Sequence, residues 1–329
     1  MSPRSSAARV SMVKKSAIPA INIKAKDFLS ITDLDHVELE AVLDLAAAMK
    51  RDRVSMRGAT EPLAGKHIAL LFEKPSLRTR STFVIAVREL GGEVIEPPAD
   101  AAFGGRESVE DVARNLERWV GGAIVRTFAQ SRLAAFAGAA PGLHVVNALT
   151  DEEHPCQALA DMLTFQERVG TLQGRTIAFV GDGNNVAVSL AQAATMLGVH
   201  VRVASPAGYE LPASAVDNAF AAARFGATVT VTNDPIEAVH GADAVYTDVW
   251  ASMGQEDQTE ARARIFAAYQ VNDALMAAAG PRAVFMHCLP AHRGHEVTDS
   301  VMDSPAAVVF DQAENRLHTQ KALLAMLMG

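Results

Sequence analysis

Short apolar runs recur along the chain, separated by stretches whose apolar residues follow a helical period. "HIALLF" (67–72), "AIVRTF" (123–128), "HVVNAL" (144–149) and "TIAFVG" (176–181) each read as a strand. So do "VHVRVASP" (199–206), "ATVTVTN" (227–233), "AVYTDVW" (244–250), "AVFMHCLP" (283–290) and "AVVFDQ" (307–312). Between most of them lie helical patterns, and such alternation predicts parallel sheets built from βαβ units. "DLDHVELEAVLDLAAAMKRD" predicts an amphipathic helix with Asp33 or Asp35 as its cap. "HPCQALADMLTFQERVGTLQG" predicts a long helix ending at Gly170 or Gly174, after which the βα rhythm begins afresh. The domain boundary is placed within that helix.

Length agrees with two cores, since 329 residues exceed the about 250–300 at which one core stops growing. A composition of 49% hydrophobic and 21% charged residues is that of an ordinary globular protein, and no apolar run reaches the roughly 18 residues of a membrane span. The net charge of −8 argues against nucleic-acid or anionic-membrane partners, so any anion site must be local. Two cysteines, Cys156 and Cys288, make no disulfide framework and suggest a reducing compartment. Residues 1–26 lack acids and carry six Lys or Arg, as an organellar transit peptide or a plain basic tail would. Cytoplasm is the default expectation.

Chemistry concentrates at predicted strand ends. In "EKPSLRTR" (73–80), Ser76 is suited to cap a helix whose Phe83, Val84, Val87 and Leu90 face inward. The free amides, the helix dipole, the Ser76 and Thr79 hydroxyls and Arg78 would then form a cradle for phosphate or carboxylate. A capped helix with solvated arginines is the competing reading. Arg126, His154 with Gln157, Cys288 and Arg316 fall at other strand ends or nearby loops. "HCLPAHRGH" offers His287, Cys288, His292 and His295 to zinc, but the spacing is poor and no C-x-x-C accompanies it. The Gly181-x-Gly183 turn is not a dinucleotide fingerprint, because Val186 takes the third glycine position and Ser205 the acidic one. It places Asn184 and Asn185 at a strand-to-helix corner facing the cleft.

"SLRTR", "HPCQ", "DGNN", "DVWASMG" and "HCLP" together resemble the carbamoyltransferase family, most closely its ornithine-using branch, from about residue 27 onward. The resemblance implies two doubly wound α/β domains joined by long helices. Residues 27–160 would form a carbamoyl phosphate domain and 161–312 an ornithine domain, with a C-terminal helix, about 313–329, returning to the first. It implies transfer of a carbamoyl group from carbamoyl phosphate to L-ornithine in homotrimers or multiples of them, with no cofactor or metal. N-acetylornithine, putrescine or aspartate as acceptor, or a nucleotide-binding oxidoreductase, are the alternatives.

By that resemblance Ser76, the Leu77 amide, Arg78 and Thr79 would hold phosphate, and Arg126 would bridge phosphate and carbonyl oxygen. His154 would contact the same oxygen. Gln157, Leu289 and Arg316 would fix the carbamoyl amide end. Asn185, Asp248, Ser252 and Met253 would hold the α-groups of ornithine, with Cys288 between the substrates. Two positions depart from the family: Leu77 replaces the threonine of S-T-R-T-R, and Ala102 a glutamine that reaches a neighbouring subunit.

Overall fold

The computed structural model describes residues 23–56, 60–98, 102–103, 105–251 and 256–329. Two all-parallel sheets form the framework. The first has the order β2-β1-β3-β4, from strands Glu93–Ile95 (β2), His67–Phe72 (β1), Gly122–Arg126 (β3) and His144–Leu149 (β4). The second has the order β7-β6-β5-β8-β9, from Val229–Thr232, His200–Ala204, Thr176–Val180, Ala244–Thr247 and Val284–His287. The central strands β3 and β5 are buried at every residue, as expected where helices cover both faces of a parallel sheet.

Helices start where their caps demand. Asp35, not Asp33, caps the helix His36–Arg51 in a box with Glu38, whereas Asp33 belongs to a short 3₁₀ turn capped by Ser30. Ser76 caps Leu77–Glu89, of whose inward positions Phe83, Val87 and Leu90 are buried and Val84 half-buried. The helix Pro155–Val169 starts with proline at its first position and stops at Gly170, whose φ of 75° suits glycine. Its first eleven residues are all buried, and one apolar cluster runs through it from Ile68 and Leu70 of the first sheet to Ile177 and Phe179 of the second.

"AVVFDQ" is not a strand. Ala307 makes a single bridge to Phe285, and from Val309 the chain is helical to Met328. This last helix returns to the first sheet's side. Its Met326 carbonyl accepts from the Ile23 amide at 3.3 Å, its Lys321 pairs with Glu89 at 2.8 Å, and Asn315 Oδ1 accepts from Lys50 Nζ at 2.8 Å. The short strand β2 was not foreseen, because three residues carry no readable period. No helix among the described residues is long and apolar enough to cross a membrane.

Candidate active site

Each sheet reverses its winding once, between β1 and β3 and between β5 and β8, and ligands of open parallel sheets bind at such points beyond the strands' carboxyl ends. The loops leaving β1, β3, β4, β5, β8 and β9 all line one cleft of about 1010 Å³. Two sheets that bury separate faces thereby present their functional ends to one space.

The first sheet supplies a cationic wall. Ser76 Oγ accepts from the Thr79 amide at 3.3 Å, so the first turn of the helix opens on the cleft with Arg78 beside it. Leu77 projects outward with 79% of its surface exposed. Arg126, at the end of β3, and Arg316, on the C-terminal helix, are buried in the same wall. Arg316 donates to Gln157 Oε1 at 2.6 Å and to Thr79 Oγ1 at 3.1 Å, both neutral acceptors. Burial first, then the charge of Arg316, with Arg78 adding to it, pushes the Arg126 guanidinium down to about 10. Crowded, desolvated cations of this kind favour an anion between them. His154 is buried, its backbone amide donates to Ser189 Oγ at 2.9 Å, and its Nδ1 has no hydrogen-bond partner. Burial, and then Arg316 and Arg126, hold it well below the usual histidine range, so the imidazole is neutral at physiological pH.

The second sheet supplies polar groups that are already oriented. Asn184 caps its helix by accepting from the Val186 and Ala187 amides, and its Nδ2 donates to Asp248 Oδ2 at 2.9 Å. Gly183 is required there, since a Cβ would lie 2.4 Å from the Leu211 nitrogen. Asn185 Nδ2 donates to the Thr150 carbonyl at 2.6 Å, tying the second sheet to the loop after β4. Cys288 Sγ donates to Asp248 Oδ1 at 3.0 Å, and burial with the nearby Asp248 charge raises its thiol well above the usual range, so it is a neutral donor. Leu289 has φ of 60°, and its amide donates to His287 Nδ1 at 2.9 Å.

The cleft thus gathers Ser76, Leu77, Arg78, Thr79, Arg126, His154, Gln157, Asn185, Asp248, Cys288, Leu289 and Arg316. Ser252 and Met253 lie outside the described residues. Ala102 is buried in the apolar cluster of the first sheet. The four ligand-type residues of "HCLPAHRGH" form no common group among the described residues. His287 groups instead with Asp248 and Cys288, and its ring nitrogens already meet the Leu289 amide and Glu296 Oε1.

Among the cleft residues given no role from the sequence are Lys74 and Arg262, and Asn184, expected only to face the cleft, gains one. Lys74 is buried, ion-paired with Asp151, and stands 4.3 Å over the Phe128 ring. Asn184 holds Asp248. Arg262 donates to Asp182 at 2.6 Å and to the Trp250 carbonyl at 2.7 Å. Lys74 stood in the motif itself, but Arg262 sits in "TEARARI", where nothing separates it from its surface neighbours.

Comparison with known proteins defines the class. The "carbamoyl-P binding domain" model of aspartate/ornithine carbamoyltransferases matches residues 26–167, and their "Asp/Orn binding domain" model matches 173–327. The chain belongs to the aspartate/ornithine carbamoyltransferase family. Within it, the chain is 49% identical to the ornithine carbamoyltransferase of Symbiobacterium thermophilum, over 93% of this chain and 99% of that one. It is 50% identical to that of Acidothermus cellulolyticus, over 92% and 96%. The solved structure of ornithine carbamoyltransferase from Pyrococcus furiosus matches with a TM-score of 0.89 at 45% identity, over 94% of this chain and 99% of that chain.

Proposed function

We propose that this chain transfers the carbamoyl group of carbamoyl phosphate to the δ-amine of L-ornithine, giving L-citrulline and phosphate. The observation that carries the reading is the convergence of Arg78, Arg126 and Arg316 at a helix N-terminus, in one cleft with the Asp248–Cys288 pair of the other sheet. The first group suits a phosphorylated acyl donor and the second an amino acid.

The Leu77 amide, the Ser76 and Thr79 hydroxyls and Arg78 hold the phosphate. Arg126 spans phosphate and carbonyl oxygen, and neutral His154 gives that oxygen a second donor. Gln157, the Leu289 carbonyl and Arg316 fix the carbamoyl amide end. Asp248 takes the α-ammonium of ornithine. Asn185, whose NH2 is held by Thr150, offers it the amide oxygen. Ser252 and Met253 take the α-carboxylate, and Cys288 sits between the two substrates. When the neutral δ-amine attacks, charge develops on the carbonyl oxygen, where one preorganised donor is worth about 2.7–4 kcal/mol. The C–O bond to phosphate then breaks, and the departing phosphate takes the amine proton, so no separate base is required. Joining two substrates in one cleft adds the proximity contribution.

The division of labour follows the sheets, with carbamoyl phosphate on 27–160 and the C-terminal helix and ornithine on 161–312. We place the protein in the cytoplasm, serving arginine biosynthesis or the reverse, catabolic direction, and assign it a homotrimer or a multiple of trimers, an assembly that light scattering tests directly.

The deciding experiment measures carbamoyl transfer to a panel of amines. L-ornithine should be preferred by about 10⁴-fold over putrescine and N-acetylornithine, because each leaves a buried polar partner unpaired. Asp248→Asn should reduce that preference. Comparable kcat/KM for either analogue in the wild-type protein would overturn the choice of substrate.

A further inference from the structure

Asp161 is a carboxylate with no exposed surface, one helical turn beyond Gln157. Its Oδ1 accepts from Gln157 Nε2 at 2.7 Å and from Gln312 Nε2 at 2.6 Å, and its Oδ2 accepts from the Tyr246 hydroxyl at 3.1 Å. All three partners are neutral. Burial raises the carboxyl to about 6, against the pull of these hydrogen bonds and of Arg316, so Asp161 is ionised at neutral pH. An ionised carboxylate only accepts, which forces Gln157 to turn its NH2 toward Asp161 and leaves Oε1 for the opposite side. There Arg316 donates to Oε1 at 2.6 Å, and Gln157 borders the cleft.

We propose that Asp161 is a positioning residue that makes the site select a carbamoyl group over an isosteric acetyl group, by locking Gln157 so that an acceptor faces the ligand's NH2. The inference rests on the reading of this cleft as a carbamoyl phosphate site. Arg316, which can only donate, favours Oε1 on its side, and Asp161 completes the lock by engaging the NH2, without which a turned amide would set its NH2 against the carbamoyl NH2 donor to donor. The same carboxylate extends the arrangement to the second sheet. Gln312, held through its NH2, accepts from the His287 amide at 3.0 Å through Oε1, just ahead of Cys288 and Leu289. Asp161 itself makes no hydrogen bond to the phosphate cradle, which the arrangement meets only through Arg316 on Thr79 Oγ1, so its loss should bear on recognition of the amine before that of the phosphate.

The test compares affinities for carbamoyl phosphate and acetyl phosphate, which differ by NH2 against CH3, by calorimetry without ornithine. Asp161→Leu removes the acceptor with the same branching but larger volume, and Asp161→Ala, which admits water, is measured beside it in case the first does not fold by circular dichroism. In either, carbamoyl phosphate should weaken about fivefold or more, the worth of one net hydrogen bond, while acetyl phosphate stays within twofold. Asp161→Asn should restore the ratio, because its oxygen can still receive Gln157 while its NH2 turns to the Tyr246 hydroxyl oxygen. A merely structural role would weaken both ligands together, and that result, or an unchanged ratio, overturns the proposal. Gln157→Met separates the two levels of the argument. If it abolishes the discrimination while the Asp161 variants keep it, only the role of Asp161 falls, whereas if it too leaves the ratio unchanged, Gln157 does not read the carbamoyl amine.

Discussion

Arg78 differs from Arg126 and Arg316 in being half-buried where they are buried, and it has no ion-pair partner among the described residues, so its charge is available to a ligand. Arg78→Ala should weaken carbamoyl phosphate by about 1.5–3 kcal/mol, the value of a charge-assisted hydrogen bond, and affect ornithine only through the missing first substrate. A titration that finds the affinity within twofold of wild type would place the phosphate elsewhere. Leu77 tests the same cradle from the other direction. Its side chain fills no core, so Leu77→Thr should leave the thermal midpoint nearly unchanged while adding a hydroxyl to the first turn. Carbamoyl phosphate should bind a few-fold tighter, and an unchanged affinity would mean that the amides and Arg78 already satisfy the phosphate. At this scale the sequence was informative where residue type announces chemistry, as with two arginines and two hydroxyls at a helix start. It was silent on Asp161 and Arg262, since an acid inside an apolar helix and an arginine in "TEARARI" acquire their roles only from what tertiary packing sets against them.

The C-terminal helix, expected over about 313–329, is misjudged only in its start, which periodicity reads as a strand, and it is the element that most binds the site together. Its opening residues, Ala307 to Phe310, are apolar and β-branched enough to read as a strand, and a run so short has no period that separates the two states. The helix prevails because the following turns carry Gln312, Arg316 and Lys321, each with a specific buried partner. Lys321 Nζ meets Glu89 Oε2 at 2.8 Å, and Arg53 meets Oε1 at 3.0 Å, with both Lys321 and Glu89 side chains almost wholly buried. Burial alone would raise the Glu89 carboxyl, but the bonds from Lys321 and Arg53 and their charges overcome it and hold the group at about 2. Its contribution is therefore fully present above the unfolded value near 4.5 and is lost as pH falls toward 2. Lys321→Met should cost about 2–3 kcal/mol in urea unfolding at pH 7, less than complete loss of a buried pair because Arg53 remains. That deficit should shrink below pH 4.5. A deficit that is the same at pH 3 as at pH 7 would show that Lys321 acts by packing and not by charge.

For the whole molecule, the two-sheet plan was legible from strand spacing and length, whereas the loop at 252–255 that completes "DVWASMG" lies outside the described residues. What spacing could not disclose is how many titratable groups the joined cores enclose. His318, on the face of the C-terminal helix against the core, is fully buried, and neither ring nitrogen has a hydrogen-bond partner. Burial pushes it down to about 4, helped by Lys50, Arg53 and Lys321 and opposed by Glu314. The unfolded chain takes up this proton near 6.5, so the native state loses stability as pH falls from 6.5 toward 4, by about 3 kcal/mol in all. Asp161 acts with the opposite sign in the same window. Its native carboxyl protonates near 6 while the unfolded one waits until about 3.8, so acidification stabilises the fold through that group. The two terms offset each other, and a wild-type stability curve that is nearly flat between pH 6.5 and 4 would conceal both. His318→Leu uncovers them. The variant should be more stable than wild type at pH 7, because a buried imidazole whose ring nitrogens make no hydrogen bond is replaced by an apolar group, and its advantage should widen by about 3 kcal/mol on going to pH 4. Urea midpoints of the two proteins, measured at half-unit steps across that range, decide the matter. An advantage that does not grow with acidity would mean that Glu314, whose Oε1 lies 3.7 Å from His318 Nε2, shares the proton in the folded protein and cancels the cost of burial.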